Sequence, residues 1–240
     1  MFSYDSMGTG GALGPTQIRL LHLLPAKEST NPIACRLEVV AFEENPVYEA
    51  LSYCWGDNTL LQGTKCNNEA FQVTESLFSG LQHLRNDHTE RTLWIDAICI
   101  NQNDLEERQS QVKLMKDIYT KSERVVIWLG PDPPLMESTT FPDEIKNDFV
   151  RPNEAKKGAI AVLTRPWWTR TWTVQEMVLA PSAIIMCGHL SAPASEARRA
   201  CADDLMHAVK DAFDAGDDDD LLSFRDLVDD PNGTLYMARM

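Results

Sequence analysis

The order of apolar and polar positions predicts a chain that begins with strands. Residues 18–24 form a mostly apolar run and residues 35–42 alternate between apolar and polar, so each predicts a β-strand. Residues 48–55 predict a third strand, which Gly56 ends. The asparagines at 67–68 lie between two short extended runs and predict a hairpin turn, because Asn tolerates a positive φ.

Helical spacing first appears after this hairpin. Thr74 is predicted to cap a helix, since Ser and Thr side chains accept hydrogen bonds from the first backbone N–H groups of a helix. Leu77, Leu81 and Leu84 then recur at i, i+4 and i+7 and predict the buried face of that helix.

A strand–helix–strand unit is predicted in the middle of the chain. Residues 92–100 are mostly apolar, as expected for a strand buried on both faces. Residues 101–104 leave this strand and cap a helix that ends near Thr120, and residues 124–130 predict another buried strand. Such a unit implies parallel strands. The predicted buried stripe of the helix consists of Leu105, Val112, Met115 and Tyr119.

The last part of the chain is less regular. Residues 131–153 are rich in proline and acidic residues and predict a surface insertion. A helix is predicted over residues 154–179, punctuated by the Arg-Pro-Trp-Trp sequence at 165–168. Residues 183–187 predict a last short strand, and the helical pattern returns at 195–215.

The negative net charge of the chain argues against two classes of binding partner, nucleic acids and anionic membranes. The 240 residues carry a formal net charge of −14. Nucleic acids and anionic membranes attract Lys and Arg, so neither is expected to bind. More than half of the acidic excess lies in residues 196–230, so the exclusion of nucleic acid is weaker for the remainder. No apolar run is long enough for a transmembrane helix, and the N-terminus lacks a signal-peptide pattern, so we expect no membrane span.

The cysteines indicate a reducing compartment. They are widely spread, without the close pairs that zinc sites use, and no secretion signal precedes them. We therefore expect a cytoplasmic protein with no metal and no cofactor. The six cysteines are Cys35, Cys54, Cys66, Cys99, Cys187 and Cys201.

The richest candidate for chemistry is the tryptophan cluster at 165–176. On a continuous helix, Trp168, Trp172 and Glu176 are four residues apart and share one face. Aromatic side chains beside a carboxylate offer a stacking surface and a low dielectric that raises its pKa. The alternative is that the tryptophans pack in the core and that Glu176 pairs with an arginine such as Arg170.

Two further clusters follow predicted strands. Asp96, Asn101 and Gln102 lie at and beyond the carboxyl end of a strand, the edge where open α/β sheets bind ligands. They would alternatively fix the loop backbone. Tyr53 and Trp55, at a strand end that turns at Gly56, are candidates for a cleft wall, and packing explains them equally well.

Four sequence blocks, in order along the chain, resemble the fungal heterokaryon incompatibility (HET) domain. They are YEALSYCWG at 48–56, LWIDAICINQ at 93–102, VIWLG at 126–130 and RPWWTRTWTVQE at 165–176. The resemblance covers roughly residues 48–188.

Domain limits follow from this resemblance and from composition. We predict a flexible leader over residues 1–15, a HET domain over 16–190 with core motifs at 48–188, and an acidic helical tail over 191–240. HET domains usually belong to longer proteins.

The HET domain in turn resembles the Toll/interleukin-1 receptor (TIR) domain. This implies an α/β fold with a TIR-like or flavodoxin-like, mostly parallel sheet flanked by helices, here with an N-terminal β extension and a C-terminal helical tail. Residues 170–176 are similar to the Ser-x-Trp-Cys-x-x-Glu helix of TIR enzymes that cleave NAD⁺, whose Glu is catalytic. The resemblance implies that Glu176 is catalytic, although Thr173 stands where TIR motifs often have Cys.

The resemblance implies a role in fungal non-self recognition and programmed cell death. NAD⁺ would be a substrate, cleaved to nicotinamide and ADP-ribose, rather than a cofactor. Asp96, Asn101 and Gln102 would hold ribose hydroxyls, and Trp168 or Trp172 would stack on a ring of the substrate.

Two alternatives to this enzyme remain at the level of sequence. The first is a non-catalytic death-signalling module that forms a homo-oligomer or binds another incompatibility protein. The second is a hydrolase that depends on Cys54 or Cys99, which the sequence supports with no local motif.

Overall fold

The structure, a computed structural model, describes residues 2–4, 13–28, 30–132, 165–170, 176–177 and 179–195. Most of the predicted leader, the predicted insertion from residue 133 onward, Trp172 and the predicted tail from residue 196 onward lie outside these described residues.

Nine strands of the described chain form one mixed sheet in the order β5-β4-β2-β1-β6-β3-β7-β8-β9. The four neighbours β6, β3, β7 and β8 are parallel to one another, whereas β1 is antiparallel to both β2 and β6. The strands are β1 (Gln17–Leu23), β2 (Ala34–Ala41), β3 (Glu49–Tyr53), β4 (Leu61–Cys66), β5 (Glu69–Thr74), β6 (Arg91–Trp94), β7 (Arg124–Trp128), β8 (Ala183–Cys187) and β9 (Leu190–Pro193).

The α-helices with both ends among the described residues are α1 (Glu75–Leu84), α2 (Asp96–Cys99) and α3 (Leu105–Lys121). Short 3₁₀ helices lie at Phe42–Glu44 and Pro166–Thr169. No helix in this part of the chain is long and apolar enough to cross a membrane.

Local signals in the sequence explain the β4–β5 turn and the start of α1. The hairpin between β4 and β5 turns at Asn67 and Asn68, which have φ values of 50° and 66°. Thr74 caps α1 by accepting a hydrogen bond from the Leu77 N–H, and the three leucines predicted on the buried face of α1 are buried. These predictions are confirmed.

The α/β class is confirmed, but the expectation of a mostly parallel sheet is wrong for the described strands. Half of the neighbouring pairs are antiparallel, because β1 and β2 join the sheet as an antiparallel pair and the β4–β5 hairpin extends it. β8 is also not the last strand, since β9 pairs with it in antiparallel fashion. Strand β3 has a parallel neighbour on each side and is buried at all five positions, as expected for a parallel strand covered on both faces.

Two predicted elements need correction. The strand predicted over 92–100 ends at Trp94, and a short helix begins at Asp96. The helix predicted over 154–179 is not continuous, because a 3₁₀ turn that starts at Pro166 ends before Arg170, which is extended (φ −87°, ψ 130°). Trp168 and Glu176 therefore do not lie on one uninterrupted helical face.

Half of the predicted buried stripe of α3 is wrong. Tyr119 is buried and Met115 is partly buried against the core, as predicted, but the other two residues are exposed. Leu105 is 59% exposed and Val112 is 49% exposed. Besides Tyr119, the buried side chains of α3 belong to Glu107, Gln111 and Ile118. Glu107 points inward because the fully buried Arg19 of β1 binds it through both guanidinium NH₂ groups, so an ion pair replaces part of the expected apolar face.

Candidate functional site

A cavity of about 360 Å³ lies at the carboxyl ends of two adjacent parallel strands, β3 and β6. Trp55 follows β3 by two residues, and Asp96 follows β6 by two residues. The volume is at the lower end of the range for small-molecule sites. The residues that line the cavity are Trp55, Asp96, Val112, Met115, Arg170 and Glu176.

The position of the Glu176 carboxylate is fixed by a chain of buried hydrogen bonds. The indole Nε1–H of Trp167 donates to the hydroxyl oxygen of Ser52 at 2.7 Å. The Ser52 hydroxyl in turn donates to Oε2 of Glu176. Ser52 and Trp167 are 1% and 2% exposed, so water does not compete for these bonds.

Burial controls the protonation of Glu176. Only 4% of this residue is exposed, and removal from water raises the pKa of its carboxyl group above the usual range. The hydrogen bond from Ser52, the positive charge of Arg170 and a hydrogen bond from Tyr119 oppose this rise. Glu176 therefore combines a raised proton affinity with a fixed orientation, as is typical of functional carboxylates.

Asp96 supplies a second carboxylate to the same cavity. Its Oδ2 accepts a hydrogen bond from Trp55 Nε1 at 3.0 Å, and its Oδ1 accepts one from the Ala97 N–H at 2.7 Å. Burial raises the pKa of Asp96 to about 6, and the negative charge of Glu176 adds to the rise. The two hydrogen bonds act in the opposite direction and limit the rise. The protonation of Asp96 therefore depends in part on the charge of Glu176.

Arg170 is a site residue that the sequence analysis considered only as a structural partner of Glu176. It lines the cavity, and its guanidinium Nη1 donates to the backbone carbonyl of Tyr53. Its charge lowers the pKa of both Asp96 and Glu176. Its place between Trp168 and Trp172, inside one tryptophan-rich block, was the available signal.

Trp167 and Ser52 were also missed. Both lie inside the motifs quoted above, but a serine within an apolar strand and a tryptophan beside Pro166 carry no local pattern that separates a functional contact from packing. Their hydrogen bond joins residues 115 positions apart, which only the tertiary structure shows.

The structure brings some predicted site residues to the cavity and places others elsewhere. Trp55, Asp96 and Glu176 line it. Gln102 Nε2 instead donates to the backbone carbonyl of Asp96 at 2.8 Å, so it fixes the loop that carries Asp96. The Asn101 side chain accepts from the Asn103 N–H at 3.2 Å and lines a separate cavity of about 730 Å³. These two residues match the loop-fixing alternative.

The predicted aromatic residues differ in position. Tyr53 is 2% exposed and is not among the lining residues; its hydroxyl is buried without a hydrogen-bond partner among the described residues. Trp168 is half-buried and packs edge-on against Trp167, with ring centroids 4.9 Å apart. Trp172 lies outside the described residues.

The two cysteines of the hydrolase alternative are not activated. Burial raises the pKa of the Cys99 thiol to about 12, and Cys99 is fully buried. Burial also raises the pKa of the Cys54 thiol. A nucleophilic cysteine needs a lowered pKa, so neither fits that role. The described residues also hold no cluster of three or more His, Cys, Asp or Glu able to bind a metal.

Comparison with known proteins identifies the motifs. The family model described as "Heterokaryon incompatibility protein (HET)" matches residues 48–176, slightly more than half of the chain. Heterokaryon incompatibility protein 6, OR allele, of Neurospora crassa is 33% identical over an alignment of 246 positions. The alignment covers 79% of this chain and 35% of that protein, so the chain spans about a third of the length of this curated relative. No solved structure matches the chain.

Proposed function

Because the chain belongs to the heterokaryon incompatibility family, we propose that it acts in fungal non-self recognition and the cell death that follows, by cleaving NAD⁺ beside Glu176. The observation that carries this proposal is the cavity at the ends of β3 and β6, in which Glu176, Asp96 and Arg170 meet.

The order of the parallel strands supports a TIR-like or flavodoxin-like core. Numbered along the chain within the parallel group, β3, β6, β7 and β8 are first to fourth, and their order in the sheet is second, first, third, fourth. Flavodoxin-like sheets begin with this order and bind ligands at the carboxyl ends of their strands. The cavity lies at that edge, beyond β3 and β6.

The proposed reaction breaks the bond between ribose C1′ and the nicotinamide nitrogen. Nicotinamide leaves as a neutral molecule with the bonding electron pair, and positive charge develops on the ribose as it does in glycoside hydrolysis. An ionised Glu176 stabilises this charge, which is greatest in the transition state. Water then adds at C1′ and releases a proton, which gives ADP-ribose.

The remaining lining residues have supporting roles in this proposal. Asp96 accepts hydrogen bonds from ribose hydroxyls, and Trp55 keeps it oriented through the Nε1 hydrogen bond. Arg170 favours the ionised form of both carboxylates, because its charge lowers their pKa and opposes the effect of burial. Ser52 is a positioning residue, because it touches Glu176 and does not line the cavity.

Product analysis tests this proposal. Purified protein is incubated with NAD⁺ over a series of protein concentrations, and nicotinamide and ADP-ribose are quantified by chromatography. We expect the two products in equal amounts, with a rate proportional to active protein. Absence of both products at every protein concentration would contradict the proposal.

One observation favours the non-catalytic alternative, a self-associating death-signalling module. Leu105 and Val112 lie seven residues apart on one side of α3, and both are about half exposed or more, although Val112 also lines the cavity beside Glu176. Exposed apolar side chains on one helix face are typical of protein–protein contacts.

A cell-death assay separates the two candidates. Killing that survives Glu176→Gln and is lost on Leu105→Glu supports the module, whereas the opposite pattern supports the enzyme. Leu60→Glu is the matched control, because Leu60 is 52% exposed and lies outside α3.

A further inference from the structure

Two buried cysteines face each other across adjacent strands, far from the Glu176 cavity in the sheet order. Cys35 of β2 and Cys66 of β4 are direct partners in the parallel register of these strands. Both are free thiols, 4% and 0% exposed. Neighbouring strands lie about 4.7–4.9 Å apart, and disulfides span Cα separations of about 4.4–6.8 Å, so this register is compatible with a disulfide.

The two thiols also contact each other. A hydrogen bond between the Cys35 and Cys66 side chains, together with burial, raises the pKa of the Cys35 thiol well above its usual value. The Cys35 thiol lies 3.5 Å from the carbonyl oxygen of Lys65, the residue before Cys66. Side-chain contact and backbone register therefore agree that the sulfur atoms are already neighbours.

The strands that carry these cysteines are joined along a short boundary. The register of β2 with β4 has two residue pairs, Ala34 with Lys65 and Cys35 with Cys66, whereas β1 and β2 share seven. Three hydrogen bonds at 3.0 Å join this end of the hairpin to β2 and the residue before it. The Lys65 N–H donates to the Ile33 carbonyl, the Asn67 N–H donates to the Cys35 carbonyl, and the Leu37 N–H donates to Asn67 Oδ1. The β4–β5 hairpin is thus an edge unit held to the sheet by few bonds, which allows local opening and access to the buried thiols.

We propose that Cys35 and Cys66 form a reversible disulfide when the protein meets a hydroperoxide, and that this bond fixes the β4–β5 hairpin to the sheet. Local opening of the β4–β5 hairpin first exposes the two thiols to water and removes the contact and the burial that oppose ionisation of Cys35. A thiolate of the opened hairpin then attacks one peroxide oxygen, the O–O bond breaks, and hydroxide leaves, so that one cysteine becomes a sulfenic acid. The second thiol attacks that sulfur and releases water. In total, two thiols and one hydrogen peroxide give one disulfide and two waters, and a dithiol reductant reverses the change.

The consequence is a conditional gain in stability. The bond would close a loop of about 30 residues, and such a cross-link stabilises the native state by restricting the unfolded chain. Wall residues of the 730 Å³ cavity, including Gly63 and Phe71, belong to the fixed hairpin. We expect the oxidised protein to melt about 5–10 °C higher than the reduced protein.

Peptide mapping of the full chain tests the proposal. Cleavage after Lys and Arg places Cys35 in residues 28–36 and Cys66 in residues 66–85, each as the sole cysteine of its peptide. Protein treated with a small excess of hydrogen peroxide is blocked with an alkylating reagent, digested without reductant and analysed by mass spectrometry. We expect the peptide 28–36 linked to the peptide 66–85, and its loss after treatment with dithiothreitol.

Three comparisons make the result decisive. Cys187→Ser, which changes another buried cysteine, should keep the linked peptide and the rise in Tm, whereas Cys66→Ser and Cys35→Ser should lose both. If peroxide gives no linked peptide in wild-type protein, or links these cysteines to others instead, the proposal is wrong. A linked peptide with a lower Tm than the reduced protein would also overturn it, because the bond would then strain the sheet.

Discussion

The Ser52 hydroxyl donates a hydrogen bond to the Glu176 carboxylate and joins two residues that are 124 positions apart in the chain. Ser52 belongs to the central strand β3, and Glu176 lies in the tryptophan-rich segment that follows the predicted insertion. The bond, supported by the hydrogen bond from Trp167 to Ser52, connects a strand that is buried at all five positions to the proposed catalytic group. The orientation and the protonation of Glu176 therefore depend on Ser52.

Removal of this hydroxyl should shift the pH dependence of the proposed activity. The Ser52 hydrogen bond favours the ionised form and lowers the pKa of Glu176, so Ser52→Ala raises that pKa further. Because the ionised form is needed, we expect the acidic limb of the pH–rate profile to move to higher pH. We also expect kcat at neutral pH to fall by about tenfold or more, with a smaller effect on KM.

A matched control distinguishes positioning from loss of packing. Ser122 is also buried, and its hydroxyl donates to a backbone carbonyl at 2.9 Å. Ser122→Ala should leave the acidic limb where it is. An unchanged acidic limb in Ser52→Ala would show that the hydroxyl does not set the protonation of Glu176.

Asp96 should make the folded protein less stable as the pH rises. Its pKa is raised from 3.8 to about 6, so the folded state binds this proton more tightly than the unfolded chain does. The free energy of unfolding therefore falls as the pH rises from about 4 to about 6, by about 3 kcal/mol for this group. Asp96→Asn should remove this decline, as measured by urea unfolding at a series of pH values.

The neighbour of Asp96 provides a second variant with the opposite expectation. The hydrogen bond from Trp55 lowers the pKa of Asp96, so Trp55→Phe should extend the decline to higher pH. Parallel stability profiles for wild-type protein and Asp96→Asn would contradict the assignment of this titration to Asp96.

Removal of one partner of the buried pair Arg19–Glu107 should lower the free energy of unfolding strongly, whereas replacement of both partners by apolar residues should change it little. Arg19 is fully buried and binds both carboxylate oxygens of Glu107, one of which also accepts the Asn101 N–H at 2.6 Å. Arg19→Met leaves a buried carboxylate without its cation, so we expect the free energy of unfolding to fall by about 3–5 kcal/mol.

The double variant tests the physical reason. Arg19→Met with Glu107→Leu removes both charges, and we expect it to recover most of the lost stability in the same urea titration. Losses that simply add would indicate that the two charges do not act as a pair.

Elements with strong local signals could be predicted from the sequence. The turn at 67–68 needs residues that accept a positive φ, and the cap at Thr74 needs a side-chain acceptor, so both are visible in a few neighbouring positions. The strands β1, β2, β3 and β7 were predicted to within a few residues because their apolar patterns are clear. A sheet order that places β1 between β2 and β6 has no such local signal.

Elements decided by distant contacts could not be predicted. The apolar run after Trp94 suggested a longer strand, but the carboxylate of Asp96 is bound by Trp55, 41 residues away, and by the Ala97 N–H, which favours a helical turn. Similarly, an inward-facing Glu107 contradicts helical periodicity until Arg19 is placed opposite it.

The candidate site could be predicted only in part, because some of its contacts arise only in the tertiary structure. Glu176, Asp96 and Trp55 were predicted from a resemblance and from their position at strand ends, and the structure brings them to one cavity. Arg170 and Ser52 interact with Glu176 only through the tertiary fold. The site roles of all these residues stay a prediction.

The most direct test is the rate of nicotinamide release by Glu176→Gln relative to wild-type protein. Glutamine keeps the size of the side chain and an oxygen that accepts the Ser52 hydrogen bond, but it removes the negative charge. Glu75→Gln is the matched control, because Glu75 is exposed in the first turn of α1. We predict a loss of at least about 100-fold for Glu176→Gln and no loss for Glu75→Gln. Equal rates for Glu176→Gln and wild-type protein would contradict the assignment of Glu176 as the catalytic carboxylate.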